Sequence, residues 1–188
     1  RFNLVLFASG TTIFSHQSLP ATSENVVKAF NFIDEYEGGG GTNLLQALEL
    51  ALQLPDQSSI SRSFVLLSDG YVTVEKEAFQ KVRDHLGQAN FFAVGVGSSV
   101  NRFIMEGLAY AGQGEPLFLT HPDHIEKQID LFSSYVEAPL LSDIKYSFDD
   151  FSAFEVRPVV LPDLLAQRPL ILFGKYKGNS TGKISIYG

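Results

Sequence analysis

Apolar and polar positions fall into a repeating order along this chain. Residues 2–7, Phe-Asn-Leu-Val-Leu-Phe, are apolar at all but one position, as in a strand covered on both faces. Gly10 marks a turn, and Thr12-Ile13-Phe14 suits a short edge strand. A helix is predicted from about Ser23 to Tyr36, capped by Thr22 or Ser23, with Glu24 at its positive end and Val26, Phe30 and Ile33 on one face. Gly38 to Gly41 break the chain, and Thr42 suits the N-cap of a helix over about Asn43–Gln53. Only Gln46, Glu49 and Gln53 form a polar stripe there, so that helix should be largely buried.

The same alternation continues. Phe64-Val-Leu-Leu67 is a second buried strand, ending in Ser68-Asp69-Gly70. A helix bearing Phe79, Val82 and Leu86 comes next, then the strand Phe91-Phe-Ala-Val-Gly-Val96 and a helix around Ile104, Leu108 and Ala111. Leu117-Phe-Leu119 is a short strand, and Pro122 opens a helix with Ile125, Ile129 and Phe132 in register. Strands alternating with helices predict an α/β fold, a doubly wound and mostly parallel sheet with right-handed crossovers.

After about Val136 the period changes to two. Ile144, Tyr146 and Phe148 alternate with polar residues, and Pro158, Pro162 and Pro169 exclude long helices. Leu170 to Tyr176 and Lys183 to Tyr187 flank Gly178-Asn-Ser-Thr-Gly182 and read as a hairpin. Two units are therefore expected: an α/β domain over 1–136 and a small β appendage over 137–188 that needs partner strands.

Charge and composition narrow the chemistry. Hydrophobic residues make up 45% of the chain, enough for a packed core. Net charge is −7, and residues 1–134 hold 15 of the 21 acidic groups against 8 of the 14 basic ones. That balance opposes nucleic-acid binding, which needs a basic footprint, and is compatible with cation binding. The absence of cysteine excludes disulfides, zinc-thiolate sites and thiol nucleophiles. No apolar run reaches the roughly 20 residues that span a bilayer, so membrane insertion by these residues is not expected. The start at Arg1, without Met, and the end at Gly188 lead us to expect a piece of a longer polypeptide.

In a doubly wound sheet ligands bind beyond the carboxyl ends of the strands. Thr42, after the glycine loop, and Asp69, at the end of the 64–67 strand, both belong there. A hydroxyl and a carboxylate suit a hard cation such as Mg²⁺. Each also has a plainer explanation: Thr42 as a helix cap, Asp69-Gly70 as a turn. Gly95-Val-Gly97-Ser-Ser-Val100 lacks the third glycine of a dinucleotide loop, and the glycine run before Thr42 lacks the lysine of a P-loop. His121 and His124, which bracket Pro122-Asp123, fit a helix start better than a metal pair.

Arg-Phe-Asn-Leu-Val-Leu-Phe-Ala-Ser (1–9), Gly-Gly-Thr-Asn-Leu (40–44), Phe-Val-Leu-Leu-Ser-Asp-Gly (64–70) and Phe-Ala-Val-Gly-Val-Gly (92–97) resemble successive blocks of a von Willebrand factor A domain. Ala-Pro-Leu-Leu-Ser-Asp-Ile (138–144) and the stretch 161–178 resemble the region downstream of that domain in the inter-alpha-trypsin inhibitor heavy chain group and its bacterial relatives. The resemblance implies a protein-binding, adhesion-type module with a metal-ion-dependent adhesion site for Mg²⁺, Mn²⁺ or Ca²⁺. An acidic side chain of a protein partner would complete the coordination. Thr42 matches the family's threonine and Asp69 its later aspartate; the Asp-x-Ser-x-Ser loop has no counterpart here. In the family that loop comes directly after the first strand, which is central and would lie between residues 2–7 and 64–67. Without that strand two ladder edges stay bare, so we expect the gap to be filled by direct pairing of these strands, by a second chain or by a peptide.

The leading expectation is thus a non-enzymatic binding module, cation-dependent in the intact protein and metal-free in this piece. A metal-independent structural module and a hydrolase using Asp69 with a histidine are the alternatives. An extracytoplasmic or surface setting is implied by the resemblance alone.

Overall fold

A computed structural model describes residues 1–55, 62–69, 75–85, 89–121, 123, 125–136, 139–166, 169–178 and 181–188, with backbone only at 75, 85, 89 and 135. At its centre lies a three-stranded parallel sheet of β3 (Arg62–Ser68), β4 (Ala89–Val96) and β5 (Pro116–Leu119), in that order. Strand β4 pairs along both edges, with Phe64 opposite Phe91 on one side and Val94 opposite Leu117 on the other. Its side chains are sealed on both faces, as the unbroken apolar run predicts.

The two faces of β4 meet different helices. Phe91 and Ala93 point into a core shared with α2 (Leu44–Leu52), α3 (Glu75–His85) and α4 (Arg102–Ala111), in which Leu44, Val82, Ile104, Met105 and Leu108 are fully buried. On the opposite face the Phe92 ring meets Phe132 of α5 (Ile125–Val136) edge-on, 5.4 Å between centroids. Helix on both faces of a parallel sheet is the wound architecture the alternation implies. Leu86 and Pro122, assigned above to this helical layer, lie outside the described residues.

A separate antiparallel hairpin precedes this sheet, β1 (Val5–Phe7) with β2 (Thr11–Ile13). Helix α1 (Ser23–Asp34) begins where expected, its Asn25 N–H held by the Thr22 hydroxyl at 3.2 Å. Lys28 draws the Glu24 carboxyl below the usual carboxylate range by a hydrogen bond across one turn. The packing face differs from expectation. Ala29 is the buried residue and Phe32 meets Phe14 of the hairpin at 5.4 Å, while Phe30 and Ile33 are exposed. The apolar stripe is wider than the contact available, so one edge of it faces solvent.

Strands β1 and β3 do not pair, which removes direct pairing from the three expected ways of filling the gap between them. Helix α2 joins them instead. The Asn43 N–H at its start donates to the Ala8 carbonyl, just past β1, at 2.7 Å. At its other end the Arg62 guanidinium, at the start of β3, donates to the carbonyls of Ala51, Leu52 and Leu54 at 3.0–3.3 Å. Such a cation satisfies carbonyls that a helix C-terminus leaves unpaired. Both strands therefore run opposite to α2 and parallel to each other. With no strand paired to its outer edge among the described residues, β3 is only half covered: Leu66 is buried, whereas Val65 and Leu67 are 41% and 57% exposed.

The C-terminal strands also pair differently from the hairpin expected. β8 (Phe173–Lys177) pairs with β7 (Ser152–Arg157), and β9 (Lys183–Tyr187) with β6 (Lys145–Asp149), so the flanks of Gly178 to Gly182 diverge into two ribbons. Asn90, buried at the start of β4, donates to the Asp163 carboxylate at 3.0 Å, and the Gln113 amide to the Val160 carbonyl at 2.9 Å. These bonds tie the segment around residues 160–163 to the wound sheet.

Truncation should separate the two helix faces. Leu48→Ala in buried α2 should cost about 2–5 kcal/mol, whereas Phe30→Ala on exposed α1 should stay within about 0.5 kcal/mol. Urea unfolding followed by circular dichroism checks both.

Candidate functional site

The open space between β1 and β3 is a trough of about 700 Å³. The two strands form its walls, and Leu44, Ala47, Leu48 and Ala51 of α2 line it between them. Thr42 and Asp69 border the same trough. Thr42 stands one residue before the Asn43 that is bonded to Ala8, and Asp69 directly follows β3. The two residues singled out from the sequence thus both line this trough, Thr42 beside the residue that bonds just past β1 and Asp69 at the end of β3.

Local structure explains why both oxygens are available there. The N-cap of α2 is Asn43 rather than Thr42: its side chain accepts from the Gln46 N–H at 3.4 Å and donates to the Gln46 side chain at 3.0 Å. Gly40 and Gly41 turn the loop through φ of 76° and 109°, values that suit glycine. Thr42 is released from capping, and its hydroxyl has no hydrogen-bond partner among the described residues. Asp69 is fixed through its backbone, the carbonyl accepting from the Ser99 hydroxyl at 3.2 Å. Its exposed carboxylate has no partner among the described residues, and Gly70, the second half of the turn dipeptide, lies outside them.

A hydroxyl and a carboxylate are donors of the right hardness for Mg²⁺, but an octahedral ion takes six oxygens. Among the described residues no group of three or more acidic, histidine or cysteine side chains could hold a metal ion. Thr42 and Asp69 therefore do not by themselves make a cation site. His121 is exposed and His124 lies outside the described residues, so nothing described brings an imidazole to Asp69. The sequence reasoning missed Arg62, which sets the distance between the trough walls through α2; its only signal was a lone cation before an apolar strand.

Residues 1–118 match the model of the von Willebrand factor type A domain. This chain belongs to that family. Inter-alpha-trypsin inhibitor heavy chain H4 of Homo sapiens is 27% identical over 169 residues, covering 83% of this chain and 18% of the relative. A von Willebrand factor type A structure from Catenulispora acidiphila superposes with a TM-score of 0.69 at 16% identity, over 98% of this chain and 47% of that one. Proximal thread matrix protein 1 from the mussel byssus, in a structure with a zinc-occupied MIDAS motif, gives a TM-score of 0.54 at 20% identity, over 70% and 34%. These structural likenesses establish the fold. The chain spans 14% to 22% of the length of the first curated relatives it matches. Among the described residues no helix is long and apolar enough to cross a membrane.

The cap assignment carries a direct prediction. Asn43→Ala should cost about 1 kcal/mol, while Thr42→Val should leave stability within about 0.5 kcal/mol. Thermal and urea unfolding compare the two; equal losses would return Thr42 to a capping role.

Proposed function

We propose that this chain is part of a protein-recognition module rather than an enzyme, and that its working edge is the rim shared by Thr42 and Asp69. The observation that carries this reading is the unengaged hydroxyl and carboxylate on one trough, at the carboxyl ends of β1 and β3 where wound sheets bind ligands. In the intact protein Thr42 and Asp69 contribute two oxygens toward a Mg²⁺, Mn²⁺ or Ca²⁺ ion, further residues supply others, and an acidic side chain of a protein partner takes the open position. The described residues alone offer too few donors for an ion, so none is expected to bind this chain by itself. Membership of the A-domain family and the zinc-occupied motif of the mussel protein support the reading. The same reading puts the module outside the cytoplasm or at a surface, where an adhesion-type module meets its partners.

Calorimetric titration with Mg²⁺ and Mn²⁺ should give no binding heat with this chain and saturable binding with a version extended upstream. In the extended version Thr42→Ala or Asp69→Asn should weaken affinity at least about tenfold, as loss of even a supporting partner does at metal sites. Absence of binding in both versions would favour a metal-independent packing module. Turnover of a test ester that is lost in Asp69→Asn would revive the hydrolase.

A further inference from the structure

A hollow of about 840 Å³ lies where the wound sheet meets the C-terminal segment, bordered by Phe79 and Arg83 of α3, Gly107 and Tyr110 of α4, and residues 158–163. Two hydrogen bonds hold that segment in place, Asn90 to Asp163 and Gln113 to Val160. Leu161 is buried and anchors it. Val159 and Val160 keep their side chains 68% and 56% exposed, so the segment borders the hollow without filling it. Small-molecule sites have this size and favour junctions between units.

The lining combines flat apolar surface with one uncommitted charge. A Cβ at Gly107 would stand 2.3 Å from the tip of the Phe79 ring, so glycine lets that ring lie directly on α4. Tyr110, three residues on and largely exposed, adds a second ring on the same helix face. Rings of this kind pair well with another aromatic face. Two charged residues line the hollow among the described ones, Asp163 and Arg83. Asp163 accepts from Asn90, whereas Arg83 has no hydrogen bond or ion pair among the described residues. Arg83 follows Phe79 by four positions on α3, so cation and ring stand one helical turn apart, roughly 6 Å between their Cβ atoms. A guanidinium matches a carboxylate in shape and charge. A metal ion would find a single carboxylate, already engaged, and a nucleic acid a single cation where it needs several.

We propose that this junction binds a small arylalkanoate: a flat aromatic body against Phe79 and Tyr110, with a carboxylate two or three bonds away on the Arg83 guanidinium. The ring supplies most of the affinity. The carboxylate supplies orientation and selectivity, because an ion pair on an exposed arginine is worth little by itself. A molecule seated there touches α3, α4 and the 158–163 segment together, and so fastens that segment to the wound sheet. The site shares no described lining residue with the trough of Thr42 and Asp69 and needs no metal, so it stands or falls apart from the cation reading.

The test uses the whole 188-residue chain in EDTA with 3-(2-naphthyl)propanoate as probe; the chain has no Trp to mask naphthalene fluorescence. Anisotropy should show saturable one-to-one binding. The neutral 3-(2-naphthyl)propan-1-ol should bind about fivefold more weakly, a difference that high salt removes. Arg83→Gln should lower affinity for the acid about fivefold and leave that for the alcohol unchanged, a split that loss of structure would not produce. Tyr110→Ser, at an exposed position, should weaken acid and alcohol alike, at least about threefold. Nuclear magnetic resonance should place the shift changes on the side-chain amides of Asn90 and Gln113 rather than on the backbone amides of Leu44 and Leu48 in the trough. No saturable binding at millimolar probe, equal affinity for acid and alcohol, or an equal loss of both in Arg83→Gln would each overturn the proposal. So would full binding by Tyr110→Ser, or shift changes centred on the trough.

Discussion

The arrangement depends on one helix fastened at both ends. Among the described residues no ladder hydrogen bond joins the β1–β2 hairpin to the parallel sheet, and α2 bridges them: Asn43 to Ala8 at one end, Arg62 to three carbonyls at the other. Lys81 of α3 pairs with Glu49 and steadies α2 from the side. Leu44, Ala47 and Leu48 anchor it to the core that also holds Phe91 and Met105. Hydrogen bonds to charged groups are among the stronger side-chain bonds, and those of Arg62 fall where helix carbonyls are otherwise unpaired. Because α2 fixes both walls, it also fixes the width of the space between them.

The placement of the two proposed site residues derives from the same fastening. The bond that seats the start of α2 on Ala8 brings Thr42 to the carboxyl end of β1, and the parallel course of β3 brings Asp69 to the same end. Neither placement needs the two side chains to interact with each other. Asn43 takes the capping duty and Ser99 holds the Asp69 backbone, leaving the Thr42 hydroxyl and the Asp69 carboxylate without a partner among the described residues. A recognition surface requires groups that folding has not already used, and these two meet that condition.

What the sequence made legible divides along physical lines. The strand Phe91–Val96 and the helices around Leu44 and Ile104 are strongly apolar, and burial decides their fate whatever surrounds them. Thr42 and Asp69 stand out in the sequence because strand ends and breaks are marked locally by glycine and polar residues. The misses arose where several outcomes satisfy the local signal equally. Thr42 and Asn43 are both good caps, and only the backbone geometry set by Gly40 and Gly41 selects Asn43. Gly178 to Gly182 carry turn chemistry, yet Phe173–Lys177 and Lys183–Tyr187 find partners far away in the chain, where a turn signal says nothing. The α1 face was misassigned because Phe30 and Phe32 are equally apolar, and only the position of Phe14 decides which is covered.

Unpaired sheet edges also govern how such a molecule behaves among its neighbours. A chain that has loosened can offer a free strand to an intact one, which is the route by which open edges seed aggregates. The opposing influence is the surplus of seven negative charges, whose mutual repulsion keeps molecules apart. That repulsion vanishes near the isoelectric point of about 5.0. Acidity near that point and added salt both weaken the charge repulsion that opposes contact between open edges.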